Sequence, residues 1–182
     1  MNVIIDLLGA SLIGGLVMLL VVNLNAYSQE TKYASDADLR LQQNAKTLAE
    51  IMNDDLRKIG YNYSGTAITE AEQQRITFNG DINNDGSMDQ VSYFLGSKAD
   101  AEATPNPDDK VLFRVVNSDT IGGPTLGLTD LRFSYLNSKE IATTDPDSVC
   151  YVKAEIWVET VLPVGGEYPF TYWEMTINPR NI

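Results

Sequence analysis

The feature that most constrains this chain is an apolar stretch near its start, residues 3–22, which is interrupted by one carboxylate, Asp6. At about 1.5 Å of rise per residue, a helix of this length spans about 30 Å, the thickness of the hydrocarbon core of a bilayer. The first thirty-one residues contain no Lys or Arg, so the stretch lacks the basic region that opens a signal peptide. We therefore expect a retained membrane helix from which any basic leader has been removed.

Asp6 is the residue that an ordinary membrane anchor does not explain. An ionised group alone in lipid costs several kcal/mol, and carboxylates inside membranes are usually paired and functional. Gly9, Gly14 and Gly15 weaken the helix but let neighbouring helices approach closely. We interpret these residues as an assembly surface. The alternative is that Asp6 lies at the membrane boundary and reaches the headgroups.

A second helical pattern follows, with no proline before Pro105 to end it. Apolar residues recur there in steps of three or four, which places them on one helix face: Leu41, Ala45, Leu48, Met52, Leu56 and Ile59. Gly60 is the predicted C-terminal cap, and Arg57 and Lys58 favour the preceding last turn. The pattern predicts one long helix that is apolar all round in its first half and amphipathic in its second.

After Gly60 the apolar period changes from about 3.6 to two, which indicates β-strands. About six strands are expected, mostly antiparallel: QRITFN, QVSYFL, KVLFRVV, TDLRFSYLN, YVKAEIWVE and FTYWEMTI. A sheet with one apolar face needs a cover, which the amphipathic helix face supplies. The predicted fold class is α+β, with a transmembrane or filament-core helix over 1–27, an amphipathic helix over 28–60 and a β-rich globular head over 61–182.

Composition excludes several function classes. The net charge of −12, without clustered Lys or Arg, argues against nucleic-acid binding. The chain has no histidine and one cysteine, and no nucleophile has an identifiable base, so we expect no enzyme activity and no haem. Two adjacent acid pairs, Asp54 with Asp55 and Asp108 with Asp109, are interpreted as solvated.

The stretch GDINNDGSMDQ matches the first nine positions of a calcium-binding loop. Asp81, Asn83 and Asp85 stand at alternate positions before a glycine, followed by the Ser87 carbonyl and Asp89. Calcium takes six to eight oxygen ligands, and this spacing brings oxygens to one side of a turn. The loop predicts a Ca²⁺ clamp at a hairpin tip. The alternative is a polar hairpin whose residues serve turn geometry alone.

Several stretches together resemble type IV pilins and the pseudopilins of secretion systems. The apolar helix with one carboxylate is followed, in order, by DLRKIGYN, ITFNGDINNDGSMDQVSYFL, LFRVV, LTDLRFSYLN and PRN. This order is similar to that of PilW-type prepilins. The resemblance covers most of the chain and implies a pilin-like fold, in which the apolar half-helices pack in a filament core.

The resemblance also implies roles for two residues. In that superfamily an acid near the mature N-terminus meets the terminal amine of a neighbouring subunit, so Asp6 is the matching acid and the Met1 amine its partner. The acid of the family is typically a glutamate at the fifth position, whereas here it is an aspartate at the sixth.

From the resemblance we expect a structural subunit of an extracellular filament at the cell surface. The subunit would wait in the inner membrane, be processed by a prepilin peptidase and polymerise with copies of itself through pilus assembly machinery. Two alternatives stay open: a minor pilin or pseudopilin that initiates or caps a filament, and a monomeric membrane-anchored calcium-binding adhesin.

Overall fold

The computed structural model describes residues 3–123 and 125–182. It divides into two compact units, Met1–Asp38 and Leu39–Ile182, and one helix, α1 (Val3–Leu56), contributes to both. The predicted long N-terminal helix is therefore confirmed. We call the second unit, Leu39–Ile182, the head.

The helix ends a few residues earlier than its apolar pattern suggests. After Leu56 the backbone hydrogen bonds begin to join residues three apart instead of four. The Lys58 amide, for example, donates to the Asp55 carbonyl at 2.9 Å. The Gly60 amide then donates to the Asn79 carbonyl at 2.8 Å, which directs the chain into the sheet. Gly60 has a φ of +71°, and a Cβ there would lie 2.6 Å from the Asn181 carbonyl oxygen, so glycine is required at this turn.

The described part of the head contains eight strands in two antiparallel sheets. The first sheet has the order β1-β2-β3-β4-β5, and its strands are Ile68–Ala71, Arg75–Gly80, Asp89–Leu95, Leu112–Val116 and Asp119–Gly122. The second has the order β6-β7-β8, with strands Leu128–Leu136, Tyr151–Glu159 and Phe170–Ile177. Two short 3₁₀ turns, Lys98–Ala101 and Pro146–Ser148, lie in the connections.

All six predicted strands are present, as β2, β3, β4, β6, β7 and β8. The α+β class is confirmed, but the expected single sheet is wrong, because β6 does not continue from β5. Strand β6 instead lies beside the turn between β1 and β2, where the Phe133 amide donates to the Gln73 carbonyl at 2.6 Å. The Tyr135 hydroxyl reinforces this join by donating to the Glu72 and Arg75 carbonyls at 2.8 and 3.0 Å.

One hydrophobic core joins both sheets to the amphipathic part of α1. The predicted helix stripe is buried, and Leu48 and Met52 are only 1% exposed. In β7 the alternation is complete, with Val152, Ala154 and Ile156 buried on one side. The core thus fixes the loops and strand ends of the head, where most of the charged side chains considered below are found.

Candidate functional site

The first candidate site is the apolar segment, defined as residues 3–24. Every large apolar side chain in it is between 53% and 75% exposed. The helix has the length and composition of a membrane span or of a signal-like segment, and its most apolar window is 0% buried. This surface packs against nothing in the described chain.

Asp6 lies in the first turn of α1, where the helix dipole favours a negative charge. The described residues give its carboxylate no hydrogen bond or salt bridge, whereas the Ser11 hydroxyl is satisfied within the helix by the Leu8 carbonyl at 3.0 Å. Met1, the predicted partner, lies outside the described residues.

The three glycines of the apolar segment do not share one face of the helix. Gly9 is one turn from Asp6 on the same side, but Gly15 is nine residues on and faces the opposite side. A Cβ built at Gly9, Gly14 or Gly15 would meet no atom within 4 Å. Both sides of the helix therefore offer a smooth place for another helix to approach.

The second candidate site is the β2–β3 loop, residues 81–88, together with Asp89. The structure brings the predicted ligands of its tip together. The Asp85 carboxylate accepts the Ser87 amide at 2.7 Å and the Asn83 side chain at 2.9 Å. These two bonds lower the pKa of Asp85 below its usual value. Asp85 is thus ionised and exposed.

The two acids at the base of this loop are buried, unlike Asp85 at its tip. Asp81, which is 2% exposed, accepts the Asp85 and Gly86 amides at 3.1 and 3.0 Å, and its Oδ2 also accepts the Asn62 side chain at 3.1 Å. Asp89 is 6% exposed; it accepts the Ile82 amide at 3.2 Å and the Asn117 side chain at 2.9 Å.

These contacts bear on the predicted metal site. Each carboxylate of the loop accepts a hydrogen bond from a backbone N–H. Turn geometry alone requires such bonds. Within residues 3–123 and 125–182, no group of three or more His, Cys, Asp or Glu side chains is placed to hold a metal ion. Calcium binding by Asp81, Asn83, Asp85, Ser87 and Asp89 stays a prediction.

A third constellation was not anticipated from the sequence. The Asp55 Oδ2 accepts the Tyr93 hydroxyl and the Arg114 Nε, both at 2.6 Å, and the Arg114 Nε also lies 3.2 Å from the Tyr93 oxygen. Burial, and then the negative charge of Asp55, raises the pKa of Tyr93 far above its usual value. The hydrogen bond to Asp55 raises the pKa of Arg114 in turn. This cluster ties α1 to β3 and β4, so its role is to hold the part of α1 that belongs to the head against the first sheet.

The interpretation of both acid pairs as solvated is wrong for one member of each. Asp54 and Asp108 are exposed and pair with Lys58 and Lys98. Their neighbours Asp55 and Asp109 are only 5% and 1% exposed. Asp55 could have been noticed, because it lies three residues after Met52 and four before Ile59, on the buried helix face. The sequence carries no comparable signal for Asp109.

Comparisons with protein-family models, with curated proteins and with solved structures find no match to this chain. Of the three constellations, only the apolar segment leaves a large surface without a partner among residues 3–123 and 125–182.

Proposed function

We propose that this protein is a structural subunit of an extracellular type IV pilus-like filament, assembled through packing of its apolar segments. The observation that carries the proposal is an apolar helix surface that is exposed along its whole length and has a carboxylate embedded in it. The order of the pilin-like stretches supports the same proposal.

Exposure of the apolar segment to water is energetically unfavourable. Its fifteen large apolar side chains are each more than half exposed. At about 1.5–3 kcal/mol for each side chain, their burial is worth roughly 20–45 kcal/mol. That exceeds the 5–15 kcal/mol that holds a typical domain folded. The segment therefore needs lipid or other helices around it.

Asp6 distinguishes between these two surroundings. In lipid an ionised carboxylate has no counter-charge and costs several kcal/mol. Beside a sibling helix it can meet a cation, and the resemblance makes that cation the terminal amine of the neighbour. The energy regained would favour one docking register over others, since a displaced helix leaves the acid unpaired. Gly9, one turn away, lets the two backbones come close.

The proposed route to the filament comes from the resemblance to pilins. The subunit waits in the inner membrane, where lipid covers the apolar segment, after a prepilin peptidase has exposed its amine. Pilus assembly machinery then transfers it onto a growing homopolymer, which carries the acidic head outside the cell. No nucleic acid is involved, and the filament acts at the cell surface in adhesion, motility or secretion.

The test is substitution of Asp6 in cells that assemble the filament. Asp6→Ala is expected to leave the subunit membrane-inserted and its head folded, but to abolish fibres in sheared material viewed by negative-stain microscopy. Asp36→Ala is the matched control, because it removes another exposed acid from the same helix, outside the apolar segment. Normal fibre yield from Asp6→Ala would refute the pairing role.

Mass spectrometry of the sheared fibres separates the alternative functions. Fibres made mainly of this chain support the proposal. Trace amounts in fibres of another protein identify an initiating or capping minor subunit, which the PilW-like order of motifs favours. Complete absence from fibres rejects filament assembly and favours a monomeric membrane-anchored calcium-binding adhesin.

A further inference from the structure

One corner of the head combines a buried acid with a shortage of hydrogen-bond donors. We define the Asp109 corner as Asn106, Asp109, Glu159 and Thr160, where the connection between β3 and β4 meets the end of β7. The Asn106 side-chain amide donates to the Glu159 Oε2 and to the Thr160 carbonyl, both at 3.0 Å. The Asp109 amide donates to the Asn106 carbonyl at 3.3 Å. These bonds hold the connection against the strand end.

The Asp109 carboxylate is the anomaly in this corner. It is 1% exposed, and neither of its oxygens has a hydrogen-bond partner among the described residues. The hydroxyl of Thr160, a residue that is 7% exposed, also lacks a partner there. Within the described chain, four buried side-chain N or O atoms are unsatisfied, and three of them lie here. An unsatisfied buried polar atom is unfavourable, and an unsatisfied buried charge is more so.

The charges around Asp109 also disfavour its ionised form. Burial, above all, raises the pKa of Asp109. The nearby Thr104 hydroxyl, whose hydrogen bonds go to the Ala101 and Asn106 carbonyls, lowers that pKa in part, and the charges of Glu159 and Asp108 raise it further. The nearby Lys98 is already paired with Asp108. No Lys or Arg of residues 3–123 or 125–182 forms a salt bridge with Asp109 or Glu159.

We propose that the Asp109 corner binds a hard divalent cation of the calcium class. A proton would neutralise one charge but would leave acceptor oxygens of Asp109 and Thr160 without partners. A cation can be ligated by all of them, and it also offsets the repulsion between Asp109 and Glu159.

The available donors suit calcium better than other common metals. All are oxygens, and the corner has no sulfur or imidazole for zinc. Calcium accepts irregular shells of six to eight ligands, so two carboxylates and a hydroxyl can be completed by main-chain carbonyls and water without a third acid. Magnesium demands a near-ideal octahedron. The bound ion would fasten the connection before β4 to the end of β7.

The experiment uses the full chain in detergent micelles, stripped with EGTA and then titrated with CaCl₂ while thermal unfolding is followed by tryptophan fluorescence. All variants carry Asp85→Asn, which weakens the predicted site in the β2–β3 loop. This background is expected to gain several degrees in Tm with calcium, and Asp109→Asn should abolish the gain. Asp108→Asn, which changes an exposed neighbouring acid, should retain it.

Further measurements keep the proposal falsifiable if Asp109→Asn is poorly folded. Glu159→Gln preserves an oxygen acceptor for Asn106 but lowers the charge, and it should weaken the calcium response at least tenfold in midpoint concentration. In EGTA, Asp109→Asn should melt no lower than its background, since it removes an uncompensated charge. A background without any calcium response, or a response that survives both substitutions, would overturn the proposal. A Tm that rises only with falling pH would assign the corner to a proton instead.

Discussion

The cluster of Asp55, Tyr93 and Arg114 gives a prediction whose size can be worked out from the structure. The Asp55 side chain is 7% exposed, and its ion pair with Arg114, at 2.6 Å, joins α1 to β4. Arg114→Met removes the cation and keeps most of the apolar stem. The buried carboxylate is then left with the Tyr93 hydroxyl alone.

The expected cost is about 3 kcal/mol, the lower end of the 3–5 kcal/mol range for breaking a buried pair. The lower end applies because the Arg114 side chain is still 25% exposed, so water screens part of the interaction. For a chain of this length, each kcal/mol lowers Tm by about 2–4 °C. Arg114→Met should therefore lower Tm by about 6–12 °C.

A triple variant separates charge from packing. Combining Arg114→Met with Asp55→Leu and Tyr93→Phe replaces every polar member of the cluster by an apolar side chain of similar size. Since apolar replacements of buried ionic clusters are often neutral or stabilising, Tm should return to within about 4 °C of the parent.

The assay is thermal unfolding of the full chain in detergent micelles, followed by tryptophan fluorescence. Both tryptophans, Trp157 and Trp173, lie in the second sheet, so the signal reports the head and not the apolar segment. Lys46→Met is the matched control, because it breaks an exposed pair with Glu50 and should change Tm by less than about 3 °C. The reasoning fails if Arg114→Met behaves like this control, or if the triple variant melts as low as the single one.

Two further predictions concern the loop and the buried tyrosines. Calcium binding at the β2–β3 loop predicts that CaCl₂ raises Tm in an Asp109→Asn background and that Asp85→Asn removes the rise; an unchanged Tm in that background would leave the loop as a hydrogen-bonded turn. Burial raises the pKa of Tyr93 and of Tyr135, so the fold favours their protonated forms. This contribution to the stability of the fold is fully present below about pH 10, the pKa of a tyrosine in the unfolded chain. It is lost as the pH rises above that value toward the higher pKa of the folded state. In an alkaline titration these two tyrosines should ionise only as the head unfolds, and Tyr93→Phe should reduce that late absorbance change; early ionisation of all tyrosines would contradict this.

Most of the architecture could be predicted because the apolar residues that form its core recur at a regular spacing in the sequence. The stripe from Leu41 to Ile59 and the alternation in β7 are regular over several turns or pleats, and both are buried as expected. Strands β1 and β5 were missed because each has only four residues, and β5 is exposed throughout. The division into two sheets depends on contacts such as Phe133 with Gln73, which are far apart in sequence and leave no periodic signal.

Candidate sites were predictable where the ligands are neighbours in sequence. The β2–β3 loop and the apolar segment with Asp6 are both contiguous. The burial of Asp109 depends instead on Asn106 reaching Glu159 and Thr160, which are more than fifty residues away. A stretch such as TPNPDD is typical of a solvated loop, so composition alone favoured the wrong interpretation of this acid.

A single physical requirement connects these sites: a carboxylate taken out of water needs compensation. Asp55 obtains it from Arg114 and Tyr93, and Asp81 obtains it from backbone and side-chain N–H groups. The described residues offer no such compensation to Asp109, or to Asp6 once its helix leaves water. Both proposals follow from this difference. We propose that a metal ion supplies the compensation for Asp109 and that the amine of a neighbouring subunit supplies it for Asp6.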